Sequence, residues 1–238
     1  MLQPSEIGRA LVITAHPDDV DFGAAGTVAA LTDAGVEVTY CLVTDGDAGG
    51  FDRTIPRPEM ASIRRLEQTR AAKEVGVTSV MFLGHGDGRV VADLTLRRDL
   101  SRVIRQVRPT VAIIQSPERN MDRIYASHPD HLAAGEASIA AVYPDSRNPF
   151  AFPELIDEGL EAWTVPEVWV MSGKVPNGHV DVTDQIDRKI RALMCHESQH
   201  QDPKGIASMV REWMGATARQ FELAEGRFAE AFQVVDTR

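Results

Sequence analysis

Two short stretches of this chain are built alike, His16-Pro17-Asp18-Asp19 near the start and His128-Pro129-Asp130-His131 just past the middle. Imidazoles and carboxylates hold divalent metals and move protons near neutral pH. A hydrolytic zinc takes about three protein ligands, keeps a position open for water, and needs a separate base to deprotonate that water. His16 and Asp19, at i and i+3, meet in a turn or a first helical turn and supply two ligands, which leaves Asp18 as the base. The missing ligand has to come from a neighbouring strand end, where the second stretch offers two imidazoles. His131 is the better candidate for ligation, and His128, held by Asp130, for an acid or a polariser of a substrate oxygen. Spacing alone does not decide between the two histidines. One His-Pro-Asp is an ordinary turn; two, each following a β-like run, point to a shared metal site.

The elements that position these residues can be read around them. Ala10-Leu-Val-Ile-Thr-Ala15 is apolar on both alternating faces, as expected of a strand buried on both sides. Pro17 disfavours helix at His16, so the strand ends there, and the small residues from Phe22 to Leu31 suit a helix. Further strands are expected at Val36–Val43, Val77–Leu83, Thr110–Gln115, Glu167–Met171 and Phe228–Val235. Helices are expected at Met60–Val75, Leu96–Val107, Asp130–Val142, Thr183–His196 and Lys204–Ala224. Strand and helix alternate, which predicts an α/β fold: a Rossmann-like, doubly wound, mainly parallel sheet with helices on both faces and a small irregular C-terminal subregion. Both motifs then sit at strand-to-helix turns, where such sheets bind ligands.

The 238 residues, 43% hydrophobic, suffice for a single domain: a metal-site core over about 9–142, an irregular excursion over about 143–166 rich in Pro, Asn, Asp, Glu and aromatics, and C-terminal helices and a strand over about 167–238. A net charge of −10 argues against nucleic acid and anionic membrane surfaces as partners. Two cysteines, Cys41 and Cys195, are too few for a disulfide framework. With no signal-peptide core at the start and no apolar run of about 18 residues, a cytoplasmic protein without membrane insertion is expected.

The Ala15-His-Pro-Asp-Asp19 element, Gly26-Thr27, Thr44-Asp-Gly-Asp-Ala-Gly49 and His128-Pro-Asp-His131 together resemble the LmbE-like, or PIG-L, deacetylases. Arg64 with Glu67, Leu83-Gly84 with Asp87-Gly88, and Lys189 leading to His196-Glu-Ser-Gln199 are similar to further family stretches, in the same order over residues 9 to 200. The resemblance implies zinc, or another divalent metal such as iron(II), on His16, Asp19 and His131. It also implies Asp18 as general base, and His128, with Asp130 beside it, stabilising the oxyanion or protonating the leaving amine. The implied reaction removes the acetyl group from an N-acetylglucosamine unit, and the family allows homo-oligomers. Two departures stand out: Val20 and Asp21 replace the glutamate common after the aspartate pair, and Ala126 occupies a position where mycothiol-pathway members carry tyrosine.

Several residues have bland alternatives. Asp45 and Asp47 form a glycine-rich loop that is either a plain turn or a hydroxyl-binding site. Arg64 and Glu67 read as a helical i, i+3 ion pair, although the resemblance places an arginine near the sugar. Asp45, Arg64 and Asp87 are therefore the candidate substrate contacts. His85, His179, His196 and His200 read as structural, and Trp163 in the excursion is a candidate to pack on a sugar or aromatic aglycone. The rival functions are a nucleotide site, disfavoured because Gly23-Ala-Ala-Gly26 is not Gly-x-Gly-x-x-Gly, a metal-dependent amidase of a non-sugar amide or thiol conjugate, and a metal-binding but catalytically idle family member.

Overall fold

The computed structural model describes residues 1–122 and 124–238. Strand β1 (Arg9–Thr14) leads through α1 (Asp19–Gly23) and α2 (Ala25–Asp33) to β2 (Glu37–Thr44), α3 (Arg57–Glu74), β3 (Ser79–His85), α4 (Leu94–Val107) and β4 (Val111–Gln115). Then come α5 (Pro129–Ala140), α6 (Pro153–Asp157), β5 (Glu167–Met171), β6 (Gly178–Asp181), α7 (Ile186–Met194), α8 (Pro203–Gln220) and β7 (Ala229–Asp236). The strands form one sheet in the order β3-β2-β1-β4-β5-β7-β6. The first five in that order run parallel, and β7 pairs antiparallel with both β5 and β6.

The continuous apolar runs follow from burial on both faces. Ala10, Val12, Val111, Ile113 and Trp169 face one core shared with α2 and α3, while Leu11, Ile13, Ala112, Ile114 and Val168 face a second core under α4 and α5. Strand order reverses at β1, whose neighbours β2 and β4 carry the chain away on opposite sides. A crevice opens beyond the strand ends at such a switch point.

Two differences from the sequence reading have local causes. The first helix begins at Asp19 and breaks at Ala24, whose φ of −148° is not helical, so two short helices replace one. Strand β6 was unanticipated: four residues with two polar side chains, His179 and Asp181, are extended by pairing with β7 rather than by their own pattern. The excursion at 143–166 opens on a helical turn, Ala141–Asp145, and carries the short α6, and Trp163 within it is turned inward. Its indole donates to the Pro109 carbonyl (2.9 Å) and Arg108 lies over its ring, so it packs on the core and away from the crevice.

The turn after β1 is fastened from the far end of the chain. Lys189, on α7, donates to the carbonyls of Asp21 (2.9 Å) and Phe22 (2.6 Å) and to Glu230 Oε1 (2.6 Å) on β7. Glu230 in turn accepts from the Gly26 and Thr27 amides (3.0 and 2.7 Å). These are first-turn donors of α2 that no intrahelical carbonyl can reach. Lys189 is 0% and Glu230 1% exposed, so each satisfies the other's buried charge as well as the backbone. Among the described residues no helix is long and apolar enough to cross a membrane.

Candidate metal centre and its two flanking hollows

His16 leaves the end of β1 with its neighbour Ala15 donating to Gln115 Oε1 (2.8 Å) at the end of β4, which ties the two switch-point strands together. Asp18 sits at φ 88°, a region disfavoured for any residue with a Cβ, and the surrounding turn has to hold it there. Its amide donates to Gln68 Oε1 (2.8 Å), and Arg64 donates to the Pro17 carbonyl and to Asp18 Oδ2 (2.9 Å). Asp19 opens α1 and folds back, its Oδ2 accepting from the His16 amide (2.7 Å).

The second motif is the start of α5. His128 caps the helix, its Nδ1 accepting from the Asp130 amide (3.1 Å), and His131 lies one turn further in. α5 can approach β4 this closely because Gly135 faces it: a Cβ there would stand 2.5 Å from the Gln115 carbonyl oxygen. Close approach of α5 to β4 brings the two motifs into contact.

His16 Nδ1 lies 3.3 Å from His131 Nε2 and 3.3 Å from Asp19 Oδ2, and His131 Nε2 lies 3.0 Å from Asp19 Oδ1. Tetrahedral ligands at about 2.0–2.1 Å from a zinc are about 3.3 Å apart, and these separations are of that size, with Asp19 turning Oδ2 to His16 and Oδ1 to His131. The other face of His16 supports the same use. Its Nε2 meets Asp130 Oδ2 and Asp87 Oδ1, each at 3.2 Å, so the ring proton belongs there and the Nδ1 lone pair is left for a metal. The His128 ring centre is 5.0 Å from that of His16 and 5.3 Å from that of His131. One ligand-capable atom from each of the three histidines falls within a 4.8 Å group, so the described residues include a cluster able to bind a metal.

Asp130 therefore has a different task from the one its position suggested. Its carboxylate accepts from the Gly88 and Val90 amides (2.7 and 3.2 Å) and faces His16; only its backbone amide serves His128. Asp87, proposed as a substrate contact, likewise spends one oxygen on His16 and the other on the Ala48 amide (2.7 Å).

Four carboxylates crowd this cluster and set its charge. Burial opposes protonation of His16, but hydrogen bonds to Asp130, Asp19 and Asp87 outweigh it and push the imidazole up to about 12. Burial also opposes ionisation of Asp19, yet His131 and His16 hold its carboxyl well below the usual range. Such a field favours a cation at this point. Asp18 behaves oppositely: burial lifts its carboxyl to about 6, with Arg64 pulling down and Asp19 pushing up. His128 is lowered, by burial and then by the neighbouring His16 and His131.

The remaining candidates divide. Arg64 is at the site, but its partner is Asp18 and not Glu67, whose carboxylate accepts from the amide and hydroxyl of Ser198 (2.7 Å each). Asp45 is not brought in: it forms a two-point pair with Arg65 (2.8 Å each) and lines a separate hollow with His85. His196 is buried against Asp21 (2.8 Å), as a structural histidine would be. Gln68, Gln199 and Trp213 are at or near the site without having been singled out for it. Gln68 comes from α3 and Trp213 from α8, delivered by tertiary packing that no local pattern marks, whereas Gln199 ends the His196-Glu-Ser-Gln199 stretch that resembles the family.

Two hollows flank the metal-binding residues and share Asp19 and His131. One, of about 360 Å³, includes Asp18, Arg64, Asp87, His128 and Gln199. The other, of about 280 Å³, is lined by Phe22, Gly23, Met171, Trp213, Tyr125 and Ala126 together with the polar Gln115, Ser116 and Ser172.

The family model described as PIG-L, GlcNAc-PI de-N-acetylase, matches residues 11–142. The chain is 32% identical to the diacetylchitobiose deacetylase of Thermococcus kodakarensis, over 97% of this chain and 84% of that protein. It is 29% identical to a probable N-acetyl-alpha-D-glucosaminyl L-malate deacetylase of Bacillus anthracis, over 79% of this chain and 80% of that protein. The structure of N,N'-diacetylchitobiose deacetylase from Pyrococcus horikoshii, complexed with an inhibitor, superimposes with a TM-score of 0.89 at 28% identity, covering 98% of this chain and 85% of that one.

Proposed function

The chain belongs to the PIG-L family of GlcNAc-PI de-N-acetylases, and on that premise we propose that it is a zinc-dependent N-deacetylase of amino sugars, hydrolysing the acetamido group of an N-acetylglucosamine unit. The observation that carries the reading is the juxtaposition of Asp18, outside the donor set but beside it, with His16, Asp19 and His131 at mutual distances of 3.0–3.3 Å. An idle metal binder has no need of a carboxylate held at φ 88° by Gln68 and Arg64. His16, Asp19 and His131 are the residues that hold the metal in this reading, and zinc suits two imidazoles and a carboxylate. When bound, the metal supplies a Lewis acid that acidifies water and polarises the amide carbonyl.

The chain's own groups handle the protons. Asp18, with a carboxyl near 6, is ionised at neutral pH yet basic enough to take a proton from the attacking water. His128 stays neutral, and because its Nδ1 accepts from the Asp130 amide, Nε2 carries the proton and can donate to the carbonyl oxygen as negative charge develops there. The proton gathered by Asp18 passes to the amide nitrogen as the C–N bond breaks, and the water oxygen leaves in acetate. Arg64 keeps Asp18 aimed and lowers its carboxyl from where burial alone would put it. Both cysteines are free, which supports a reducing cytoplasmic setting.

The test is metal analysis of the purified protein coupled to acetate release from a set of N-acetylglucosamine glycosides, chitobiose and thiol-precursor glycosides among them. Stoichiometric zinc with release from at least one glycoside is expected. Zinc without release from any of them refutes the proposal in favour of an idle or non-sugar amidase member.

A further inference from the structure

Asp21 is a carboxylate that the chemistry above leaves unused, and it is 0% exposed. A carboxylate buried so completely needs donors. Its Oδ2 accepts from Gln68 Nε2 (2.9 Å) on α3 and faces His196 Nε2 (2.8 Å) just beyond α7. Gln68 and His196 are also 0% exposed, so the three side chains form one fully buried row. The row ends on the base, because Gln68 Oε1 accepts from the Asp18 amide (2.8 Å).

A glutamine amide fits a site either way round, and its neighbours decide which end faces which. A carboxylate oxygen only accepts, so Asp21 draws Nε2 and leaves Oε1 for the Asp18 N–H. Reversed, the amide would set Nε2 against that N–H, donor to donor. His196 steadies the acid from its other side, and Lys189 holds the Asp21 carbonyl (2.9 Å). What the row meets is backbone in a disfavoured region: Asp18 has φ 88° and ψ −27°, which a residue with a Cβ keeps only where its surroundings impose it. The peptide after Asp18 is fixed by α1, its oxygen accepting from the Asp21 and Phe22 amides (2.9 and 3.1 Å). The peptide before it is pinned at its oxygen by Arg64 and at its N–H by Gln68, and a peptide held at one end alone can pivot. Resting on the deacetylase reading above, we propose that Gln68 and Asp21, braced by His196, are positioning residues for the base: they set the plane of the Pro17–Asp18 peptide and with it the direction in which the Asp18 carboxylate leaves the chain.

The experiment reverses the polarity of the row. Gln68→Glu sets two carboxylates face to face and should lower kcat for acetate release by about tenfold or more, with KM within about threefold and zinc stoichiometry unchanged, since misplacing a reacting group by about 1 Å can cost about a hundredfold. Adding Asp21→Asn turns the contact round: the introduced amide donates to the introduced carboxylate, which still accepts from the Asp18 N–H. The double variant should therefore turn over about fivefold or more faster than Gln68→Glu alone. Gln68→Met keeps the bulk, drops both polar ends and decides the matter if Gln68→Glu does not fold. Its kcat should fall about 10–100-fold, and hydrogen exchange at the Asp18 amide, followed by NMR without substrate, should quicken about tenfold or more. Gln68→Met turnover within about threefold of wild type, or a double variant no faster than Gln68→Glu, overturns the proposal while acetate release by the wild type keeps the deacetylase reading. Zinc content and melting temperature that fall in step with kcat overturn it too, because the row would then hold the fold and not the base. No acetate from the wild type, with metal bound, overturns the deacetylase reading and the positioning role with it.

Discussion

His16 presents one ring N–H to two carboxylates at the same distance, Asp130 Oδ2 and Asp87 Oδ1 at 3.2 Å each. One proton cannot make two full hydrogen bonds, so either acid alone should keep the ring oriented, and removing both should not. Each acid is anchored independently of His16, Asp130 by the Gly88 and Val90 amides and Asp87 by the Ala48 amide, so substitution of one leaves the other in place. Losing the outer partner of a metal-bound histidine typically costs about 10–100-fold in metal affinity. Asp130→Asn and Asp87→Asn are each expected near the lower end, about tenfold, or about 1.4 kcal/mol. The double variant should lose more than the hundredfold product of the singles, about a thousandfold, a coupling of about 1.4 kcal/mol between residues that share a partner. Competition titration against a chromogenic chelator at fixed pH measures all three, with thermal melts to show that each variant folds. Strictly additive losses would refute the shared-proton reasoning, as would singles that already lose a thousandfold.

Replacement of Asp18 by Asn, which keeps an oxygen for Arg64, should leave zinc stoichiometry intact and lower kcat by about 10²–10⁴-fold; turnover within tenfold of wild type would remove Asp18 from its role as base. The same residue predicts a pH effect in the metal-free protein. Its carboxyl is raised to about 6 in the fold, so the stability it contributes is present below its unfolded value near 4 and is lost as pH rises through 6. Metal-free Asp18→Asn should accordingly melt no lower than wild type at pH 8, and a clearly lower melting temperature would contradict the assignment. Gly135→Val, placing side-chain atoms where the Gln115 carbonyl already stands within 2.5 Å of a Cβ position, should push α5 off β4 and weaken metal binding more than it weakens folding; calorimetry alongside chelator titration separates the two.

The parts of this architecture that could be read along the chain are those fixed by local pattern. Both-faced apolar runs marked the parallel strands, and Pro17 marked the turn that sets His16, Asp18 and Asp19 at the end of β1; His128 and His131 stand instead at the start of α5, separated from the end of β4 at Gln115 by residues 116–127. What could not be read is which distant group each polar atom meets. Asp130 stands two residues from His128 yet gives its carboxylate to His16, because the start of α5 turns that side chain toward the Gly88 amide. Arg64 had an acid at i+3 and took one 46 residues away instead. Trp163 and Trp213 changed places in importance for the same reason: the excursion folds under the sheet, while α8 swings over the cleft. Strand β6 has almost no pattern of its own and exists because β7 offered it an edge.

The clamp of Lys189 and Glu230 on the turn after β1 has a consequence for biosynthesis. The proposed ligands His16, Asp19 and His131 are all in place in the chain by residue 131, but Glu230, which caps α2, arrives with β7. A growing chain thus carries a full set of ligands on an unfastened turn, and a chain cut ahead of Phe228 keeps them without the carboxylate that locks α1 to α2. The clamp is complete only once β7 lies between β5 and β6 and brings Glu230 to Lys189 and the α2 amides.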